Sequence, residues 1–196
     1  MKIDVLTLFP EMFSMLSDYG VIGKAIDKQV LDFSVHNIRD YSLDKHKSVD
    51  DTVYGGAAGM LMKPQPIVSA INDVKTKSSK VIYLSPQGSI LTQEKAIYLA
   101  KEEHLVLLCG HYEGIDSRVT NNYIDEEISI GDYVLTGGEL PAMVLIDTVV
   151  RWVKGVLGNE ESAPSDSHCD GLLQYDEFTK PRNFEGYEVP EVLLNG

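Results

Sequence analysis

Three glycine-rich turns carry the residue types that could form a ligand pocket. Each turn follows a predicted strand: SPQG at 85–88, CGHYEGID at 109–116 and LTGGELP at 135–141. Glycine permits positive φ angles and lets a ligand approach the main chain closely. One such turn could simply end its strand, but three in one small domain favour a shared pocket. The carboxylate of Glu113 lies within the second turn.

The chemistry of these turns favours a nucleoside with a cationic tail. The sequence contains neither the G-x-G-x-x-G dinucleotide motif nor the G-x-x-x-x-G-K-S/T phosphate loop. Backbone amides and carbonyls beside one carboxylate suit S-adenosylmethionine, which carries an adenine edge, a ribose, a sulfonium and an ammonium group. Two other classes stay open from the residues alone: a non-catalytic module that binds an adenosine metabolite or docks a protein, and a dehydrogenase-like nucleotide enzyme.

Ionisable residues outside the turns could supply acid–base chemistry. Arg151 follows a predicted apolar helix, where an arginine often serves the helix dipole. Asp166 and Asp170 lie in an irregular segment, where an acid is usually solvated. Asp50 and Asp51 could form a metal or proton-transfer pair, although a solvated loop is the more ordinary explanation. The sequence by itself therefore assigns no metal site and no general base.

The elements that must position these residues alternate between strand and helix. Hydrophobic periodicity predicts strands at 2–9, 30–38, 80–84, 104–109 and 127–135. It predicts helices at 10–26, 66–74, 92–101, 116–123 and 141–153, with a long, partly mobile loop at 39–62. This alternation predicts an α/β domain with a mostly parallel sheet and helices on both faces. Ligands of such sheets bind at the carboxyl ends of the strands, where the three turns lie.

Length and charge narrow the class of protein. The chain has 196 residues, 43% of them hydrophobic, which is typical of one globular domain. Its formal net charge of −13 argues against a broad basic surface that coats nucleic acid, but it leaves room for a local RNA site. The first residues do not resemble a signal peptide, and no apolar run reaches membrane-spanning length. We therefore expect a cytoplasmic protein without membrane contact.

Several longer blocks resemble one known family. The blocks GDYVLTGGELPAM (131–143) and GVLGN (155–159) are similar to the bacterial tRNA (guanine-N1)-methyltransferases of the TrmD type. Further similar blocks follow the same order along the chain: MKIDVLTLFPEMF (1–13), DDTVYGGAAGM (50–60), YLSPQG (83–88), CGHYEGIDSR (109–118) and DGLLQY…FTKPRNFEG (170–186). Together they cover nearly the whole chain and are highly specific.

The sequence departs from the family pattern in two blocks. The loop that usually reads YGGGPGM is YGGAAGM here, and Val53 stands where a proline is usual, so this loop is expected to differ in stiffness. The acidic motif that usually reads EDSF is SDSH at 165–168. It keeps Asp166 and Ser167 but loses the acid before them and the aromatic residue after them.

The resemblance implies a particular fold and assembly. It implies an α/β domain of the SPOUT class with a C-terminal deep trefoil knot, and a homodimer whose active sites draw on both chains. Residues 1–160 would form the knotted domain, and residues 161–196 the linker and the start of a tRNA-binding region. The family continues past Gly196 into a helical domain that grips tRNA. The favoured interpretation is that this chain was cut at the domain boundary, rather than that the natural protein is short.

The resemblance also implies an activity and its residues: methylation of guanine N1 at tRNA position 37, next to the anticodon, with S-adenosylmethionine as the donor. Asp166 would be the general base, with Asp170 a lesser candidate, and Arg151 would meet charge on guanine O6. The residues implied to bind the donor are Tyr83, Leu84, Ser85, Pro86, Cys109, Gly110, Tyr112, Glu113, Gly114, Ile130, Gly131, Asp132, Tyr133, Val134, Leu135, Gly137, Gly138 and Pro141. Those implied to contact the substrate are Asp50, Tyr54, Gly55 and Gly56. Mg²⁺ dependence is associated with the family, but the sequence indicates no ligand set.

Overall fold

The computed structural model describes residues 1–158, 167–169 and 173–195. Its strands are β1 (Lys2–Thr7), β2 (Asp32–Asn37), β3 (Asp50–Thr52), β4 (Met60–Met62), β5 (Ser79–Ile90), β6 (His104–Cys109), β7 (Glu126–Ser129), β8 (Asn183–Phe184) and β9 (Tyr187–Glu188). Its α-helices are α1 (Ser14–Ser17), α2 (Gly20–Asp27), α3 (Pro64–Val74), α4 (Gln93–Leu99), α5 (Ser117–Tyr123) and α6 (Glu139–Val150). Short 3₁₀ turns occupy Pro10–Phe13, Ile38–Tyr41 and Glu191–Leu193.

Five strands form one parallel sheet in the order β2-β1-β6-β5-β7. Each adjacent pair in this sheet runs parallel. All residues of β6 are buried, because a central parallel strand is covered on both faces. The prediction of an α/β domain with a mostly parallel sheet is therefore confirmed.

Apolar side chains alternate between two cores, one on each face of this sheet. On one face, Ile3 and Leu107 belong to a cluster that includes residues of α2, α4 and α6. On the other face, Leu108 belongs to a cluster that includes Ile67 of α3 and Val119 of α5. Helices therefore cover both faces, and they hold the carboxyl ends of β5, β6 and β7 in fixed positions.

The predicted helix at 10–26 is interrupted. A 3₁₀ turn at Pro10–Phe13 and the single turn α1 precede α2, which begins at Gly20. Tyr19 is extended and Gly20 has a φ of 71°, and neither conformation continues an α-helix. The prediction of one continuous helix was wrong, because helical spacing of apolar residues does not reveal a break in the backbone between them.

Three other predicted boundaries differ from the structure. The strand predicted at 127–135 ends at Ser129, and residues 130–138 form a loop without regular strand structure. Strand β5 runs on to Ile90, with a shift of register against β7 between Leu84 and Ser89. The predicted loop at 39–62 contains the antiparallel hairpin of β3 and β4. This hairpin is tied to the turn after β6 by a parallel bridge between Met62 and Ile115.

Two further expectations concern the membrane and the domain boundary. Over the described ranges, no helix combines the length and the apolar character needed to cross a bilayer. The boundary predicted near residue 160 falls within residues 159–166, which lie outside the described ranges. The boundary and the knot both stay predictions.

Candidate active site

A cavity of about 590 Å³ opens at the carboxyl ends of β6 and β7 and beside the register shift within β5. Its walls include 83–87, 110–115, 127–131 and 133–138, so all three glycine-rich turns meet in it as their positions in the sequence predicted. Helix α5 and the β3–β4 hairpin close further sides of the cavity. The volume lies in the usual range of small-molecule sites, roughly 300–1,000 Å³.

Gly110 and Gly138 bring two of the turns into contact through their main chains. The Gly138 N–H donates to the carbonyl oxygen of Gly110 at 2.9 Å. A Cβ atom on Gly138 would lie 2.7 Å from Cα of Cys109, and one on Gly110 would lie 2.7 Å from the hydroxyl oxygen of Tyr83. Because neither glycine has room for a side chain, this part of the wall is bare backbone.

Tyr83 brings a neutral phenol to the cavity wall. The residue is 8% exposed. Burial, and then the nearby Glu127 carboxylate, raises the pKa of Tyr83 to about 12. The hydroxyl therefore stays protonated at neutral pH and can donate a hydrogen bond, but it cannot act as a base there.

A buried carboxylate lies behind the wall, at the first residue of α6. Glu139 is 2% exposed. Its Oε1 accepts a hydrogen bond from the Thr7 hydroxyl at 2.7 Å, and its Oε2 lies 2.9 Å from Nε2 of His111. Sequence reasoning assigned no role to these three residues. The available signal was an acid placed directly between a Gly-Gly pair and a strongly apolar helix.

The sequence of the whole chain matches one family. Residues 1–196 match the sequence model described as tRNA (Guanine-1)-methyltransferase TrmD. The chain belongs to this family. Sequence blocks that include the cavity wall predicted membership of this family, and the match to the family model confirms the prediction.

Similar proteins with curated names span several bacterial genera. The chain is 61% identical to the tRNA (guanine-N(1)-)-methyltransferase of Finegoldia magna, over all of this chain and 84% of that protein. It is 56% identical to the protein of the same name from Ruminiclostridium cellulolyticum, covering 85% of it. It is 52% identical to the one from Oceanobacillus iheyensis, covering 81% of it. In both of these the whole of this chain is matched.

Most residues that the TrmD resemblance assigns to the methyl donor line the cavity. Cys109 and Asp132 are the exceptions. Cys109 is fully buried, where burial and then the charge of Glu139 raise the pKa of its thiol and keep it uncharged. The assigned residues on the wall are Tyr83, Leu84, Ser85, Pro86, Gly110, Tyr112, Glu113, Gly114, Ile130, Gly131, Tyr133, Val134, Leu135, Gly137, Gly138 and Pro141. That they bind the donor stays a prediction.

The residues that the resemblance assigns to the TrmD substrate lie on the β3–β4 hairpin, beside the cavity. Asp50 begins β3, and Tyr54, Gly55 and Gly56 lie in the connecting loop, with Tyr54 97% exposed. None of the four lines the cavity, although their hairpin neighbours Val53 and Leu61 do. A Cβ on Gly59 would lie 2.4 Å from Cγ of Glu113, so the hairpin packs against the glutamate of the second turn.

Helix α5 contributes polar side chains that sequence reasoning did not assign. Ser117, Thr120 and Asn121 line the cavity next to the hairpin. They share one face of the helix because residues three and four apart are neighbours. No motif marked them, since each is an ordinary helix-surface residue in the sequence.

The predicted catalytic residues of the TrmD family are not assembled at this cavity within the described residues. Arg151 is the C-cap of α6, is exposed and does not line the cavity. Asp166 and Asp170 lie outside the described residues. The described part of the chain also holds no group of three or more His, Cys, Asp or Glu side chains suited to a metal ion. The Mg²⁺ dependence associated with the family therefore has no assigned ligand here.

Proposed function

We propose that this chain transfers a methyl group from S-adenosylmethionine to N1 of a guanine in tRNA, at position 37 beside the anticodon. The observation that carries the proposal is the match of the TrmD family model to residues 1–196. The three similar proteins described above all carry the name tRNA (guanine-N(1)-)-methyltransferase. The cavity with its backbone wall supplies a site of suitable size for the donor.

The residues present fit S-adenosylmethionine. Gly110 and Gly138 line the cavity without side chains, so an adenine or a ribose can approach the main chain closely there. Glu113 and Glu127 line the same cavity and provide negative charge for a cationic ligand. When bound, the donor supplies an electrophilic methyl group on a sulfonium. The chain's own task is to hold that group in line with the guanine, at a separation of about 3 Å.

Guanine N1 carries a proton, so its lone pair becomes available only when a base removes that proton. A carboxylate within hydrogen-bond reach can do this, and we assign the role to Asp166, with Asp170 the lesser candidate. Negative charge then develops on guanine O6. Arg151 can stabilise it, because a guanidinium stays charged and its donors match the acceptors of guanine.

The position of Arg151 supports an active site shared between two chains. Pro141, in the first turn of α6, lines the cavity, whereas Arg151 follows the last residue of that helix. A helix of 12 residues is about 18 Å long. Arg151 therefore lies well away from the turn of α6 that lines the cavity of its own chain. This separation supports a second copy of the chain as the source of the arginine.

An exposed apolar surface supports the same assembly. It consists of Phe9 and Met12 beside Leu140 and Val144 of α6, each between 42% and 50% exposed. The 3₁₀ turn that carries Met12 packs against α6, and the ring of Phe9 lies 4.9 Å from that of His111 on the cavity wall. This apolar surface therefore adjoins the cavity. A homodimer that covers it would bring a partner's residues next to the bound donor.

The test is transfer of a labelled methyl group to a tRNA transcript that carries guanosine at position 37. The matched control is the same transcript with adenosine at that position. We expect calorimetry to show binding of S-adenosylmethionine but not NADH, and label to enter only the guanosine transcript. Donor binding without any transfer, both by this chain and by one extended with the unmatched part of the Finegoldia magna relative, would favour a non-catalytic module that binds adenosine metabolites. Label in both transcripts would contradict the assignment to position 37.

We also propose that the protein acts in the cytoplasm, since that compartment holds the tRNA substrate. The knot implied by the resemblance remains part of the proposal. It would account for the close contact between the segments that follow β6 and β7, because a knotted chain must pass close to itself.

A further inference from the structure

One buried carboxylate joins three separate elements directly behind the donor cavity. Thr7 is the last residue of β1, His111 lies in the turn after β6, and Glu139 begins α6. Both oxygens of Glu139 are used, one by the Thr7 hydroxyl and one by the His111 ring. We propose that Glu139, held by Thr7 and His111, is a positioning residue that keeps the donor-binding wall in its binding-competent arrangement. The inference rests on the proposed use of S-adenosylmethionine.

The hydrogen bonds have defined directions. The Thr7 hydroxyl donates its hydrogen to the Glu139 carboxylate, which can only accept, and its oxygen accepts the N–H of Phe9 at 3.0 Å. A carboxylate only accepts, so the His111 ring must carry its hydrogen on Nε2. Each donor therefore satisfies one oxygen of a side chain that is almost fully buried. Loss of either donor leaves a buried oxygen unpaired, which disfavours the present arrangement of the wall.

Gly137 shows that the wall is built around this contact. A Cβ on Gly137 would lie 2.2 Å from Nε2 of His111 and 2.5 Å from Oε2 of Glu139. Gly137 does not have a positive φ, so backbone conformation does not require glycine there. The requirement is space: the hydrogen bond between His111 and Glu139 passes over the Cα atom of Gly137. Gly137 itself lines the cavity and pairs with His111 in an isolated antiparallel bridge.

Few other hydrogen bonds join the turn after β6, which carries His111, to the turn before α6, which carries Gly137. Among the described residues, the backbone bond from Gly138 to Gly110 and the bridge between Gly137 and His111 join them directly. If the carboxylate loses a partner, the wall becomes more mobile and must be reordered when the donor binds. A preorganised wall avoids that cost. The network should therefore act on donor affinity, and much less on the chemical step once the donor is bound.

Thr7 allows the clearest test, because it is fully buried and does not line the cavity. Thr7→Val keeps the shape of the side chain and removes the hydroxyl, whereas Thr7→Ser keeps the hydroxyl and is the matched control. We expect Thr7→Val to raise the Kd for S-adenosylhomocysteine, measured by calorimetry, about tenfold, because it removes the donor to a buried oxygen of Glu139 and the acceptor of the Phe9 N–H. Thr7→Ser should stay within about twofold of wild type.

Steady-state kinetics separates positioning from a purely structural role. Thr7→Val should raise the KM for S-adenosylmethionine and leave kcat at saturating donor within about threefold of wild type. A residue needed only for folding would lower the amount of active enzyme, which reduces apparent kcat and leaves KM unchanged. That pattern, or equal affinity of the Val and Ser variants, would overturn the inference.

A second variant covers the case in which Thr7→Val does not fold. Glu139→Gln keeps the shape and can still accept from Thr7, but its amide can bond His111 only if the ring moves its hydrogen to Nδ1. We expect its Kd for S-adenosylhomocysteine to rise severalfold, and an unchanged Kd would overturn the inference. If the wild-type protein bound neither donor nor product, the proposed function would be refuted. If the wild type bound normally and the variants had the same Kd, only the role of Glu139 would be refuted.

Discussion

Single glycines in this protein are required for two different physical reasons. Gly55 and Gly56, in the β3–β4 loop, have φ angles of 88° and 80°, and a Cβ on either would meet nothing within 4 Å. Glycine is required at these two positions by the backbone conformation, and not by any neighbouring atom. Gly138 is the opposite case, since its φ is −82° but a Cβ would lie 2.7 Å from a backbone atom of Cys109. A glycine motif in a sequence does not by itself tell which of the two reasons applies.

The space requirement at Gly138 gives a prediction. Gly138→Ala should lower the free energy of unfolding by about 1–3 kcal/mol, the usual range for overpacking, because the backbone of Cys109 cannot move aside easily. It should also weaken donor binding, since Gly138 lines the cavity. Urea unfolding and calorimetry measure the two effects.

The matched control for Gly138 is Gly158→Ala. Among the described residues, a Cβ on Gly158 would meet nothing within 4 Å, and its φ is not positive. This variant should unfold and bind donor like the wild type. Equal behaviour of the two alanine variants would show that the contact between the two turns is looser than the structure indicates.

Asp4 ties together the three strands β2, β1 and β6 at a point away from the cavity. The residue is 1% exposed, and its carboxylate lies 2.7 Å from Nε2 of both His36 and His104 and 3.0 Å from Nζ of Lys2. Burial alone would raise the pKa of Asp4, but the hydrogen bonds from His36, Lys2 and His104 outweigh it and lower that pKa. One carboxylate therefore stabilises the strand pairing on both sides of β1.

This arrangement predicts how stability depends on pH. A carboxyl with a lowered pKa in the folded state stabilises the protein fully above roughly pH 5, and that contribution is lost as pH falls through about 3.9 toward the folded-state value. Asp4→Asn should lower the free energy of unfolding at pH 7 by about 2 kcal/mol and flatten its fall between pH 5 and pH 3. Urea unfolding at several pH values measures this.

Asp32→Asn is the matched control for Asp4, because Asp32 is an exposed acid on the neighbouring strand β2. Its stability profile should follow that of the wild type at every pH. A profile for Asp4→Asn that falls as steeply with acid as the wild-type profile would contradict the role given to the buried carboxylate.

The predicted elements were right where burial alone decides the structure. The run His104–Cys109 is apolar almost throughout and forms the buried central strand β6 as predicted. A helix was predicted from residue 92, and the Thr92 hydroxyl oxygen accepts the N–H of Lys95 at the start of α4. In both cases the local sequence and the tertiary environment require the same structure.

The predictions failed where side chains serve the cavity rather than a core. Tyr133 and Val134 suggested a strand, but they are more than half exposed and line the cavity, so their apolar character marks a ligand surface. The hairpin of β3 and β4 was missed because each strand has three residues, too few for a clear period. The contact between Thr7 and Glu139 joins residues 132 apart in sequence, which no local pattern can reveal.

In the whole molecule, the proposed active site needs two copies of the chain. The cavity of one copy and Arg151 of the other would form each site. Coexpression of two defective chains tests this directly: one carries Arg151→Ala and the other Glu113→Ala, which alters a cavity-lining residue. Each variant alone should be nearly inactive. In random dimers half are mixed, and each mixed dimer has one intact site, so the mixture should recover about a quarter of wild-type activity.

The control for subunit mixing is a chain that carries both Arg151→Ala and Glu113→Ala. When the doubly substituted chain is mixed with wild type, both sites of each mixed dimer are defective, so the mixture should keep about a quarter of wild-type activity, rather than the half expected if each chain carried a complete site. A mixture of the two single variants that only equals the sum of their separate activities would mean that each chain carries a complete site.

The strand order also constrains how the chain can fold as it is synthesised. Strand β6 lies between β1 and β5, although both of these precede it in sequence. Asp4 and His104, which share a hydrogen bond across this junction, are 100 residues apart. A nascent chain therefore cannot add its strands to the sheet in the order of synthesis, because both neighbours of β5 follow it in sequence. Strand β5 can join the sheet only after the ribosome has released β6, and pairing across so long a loop is slow.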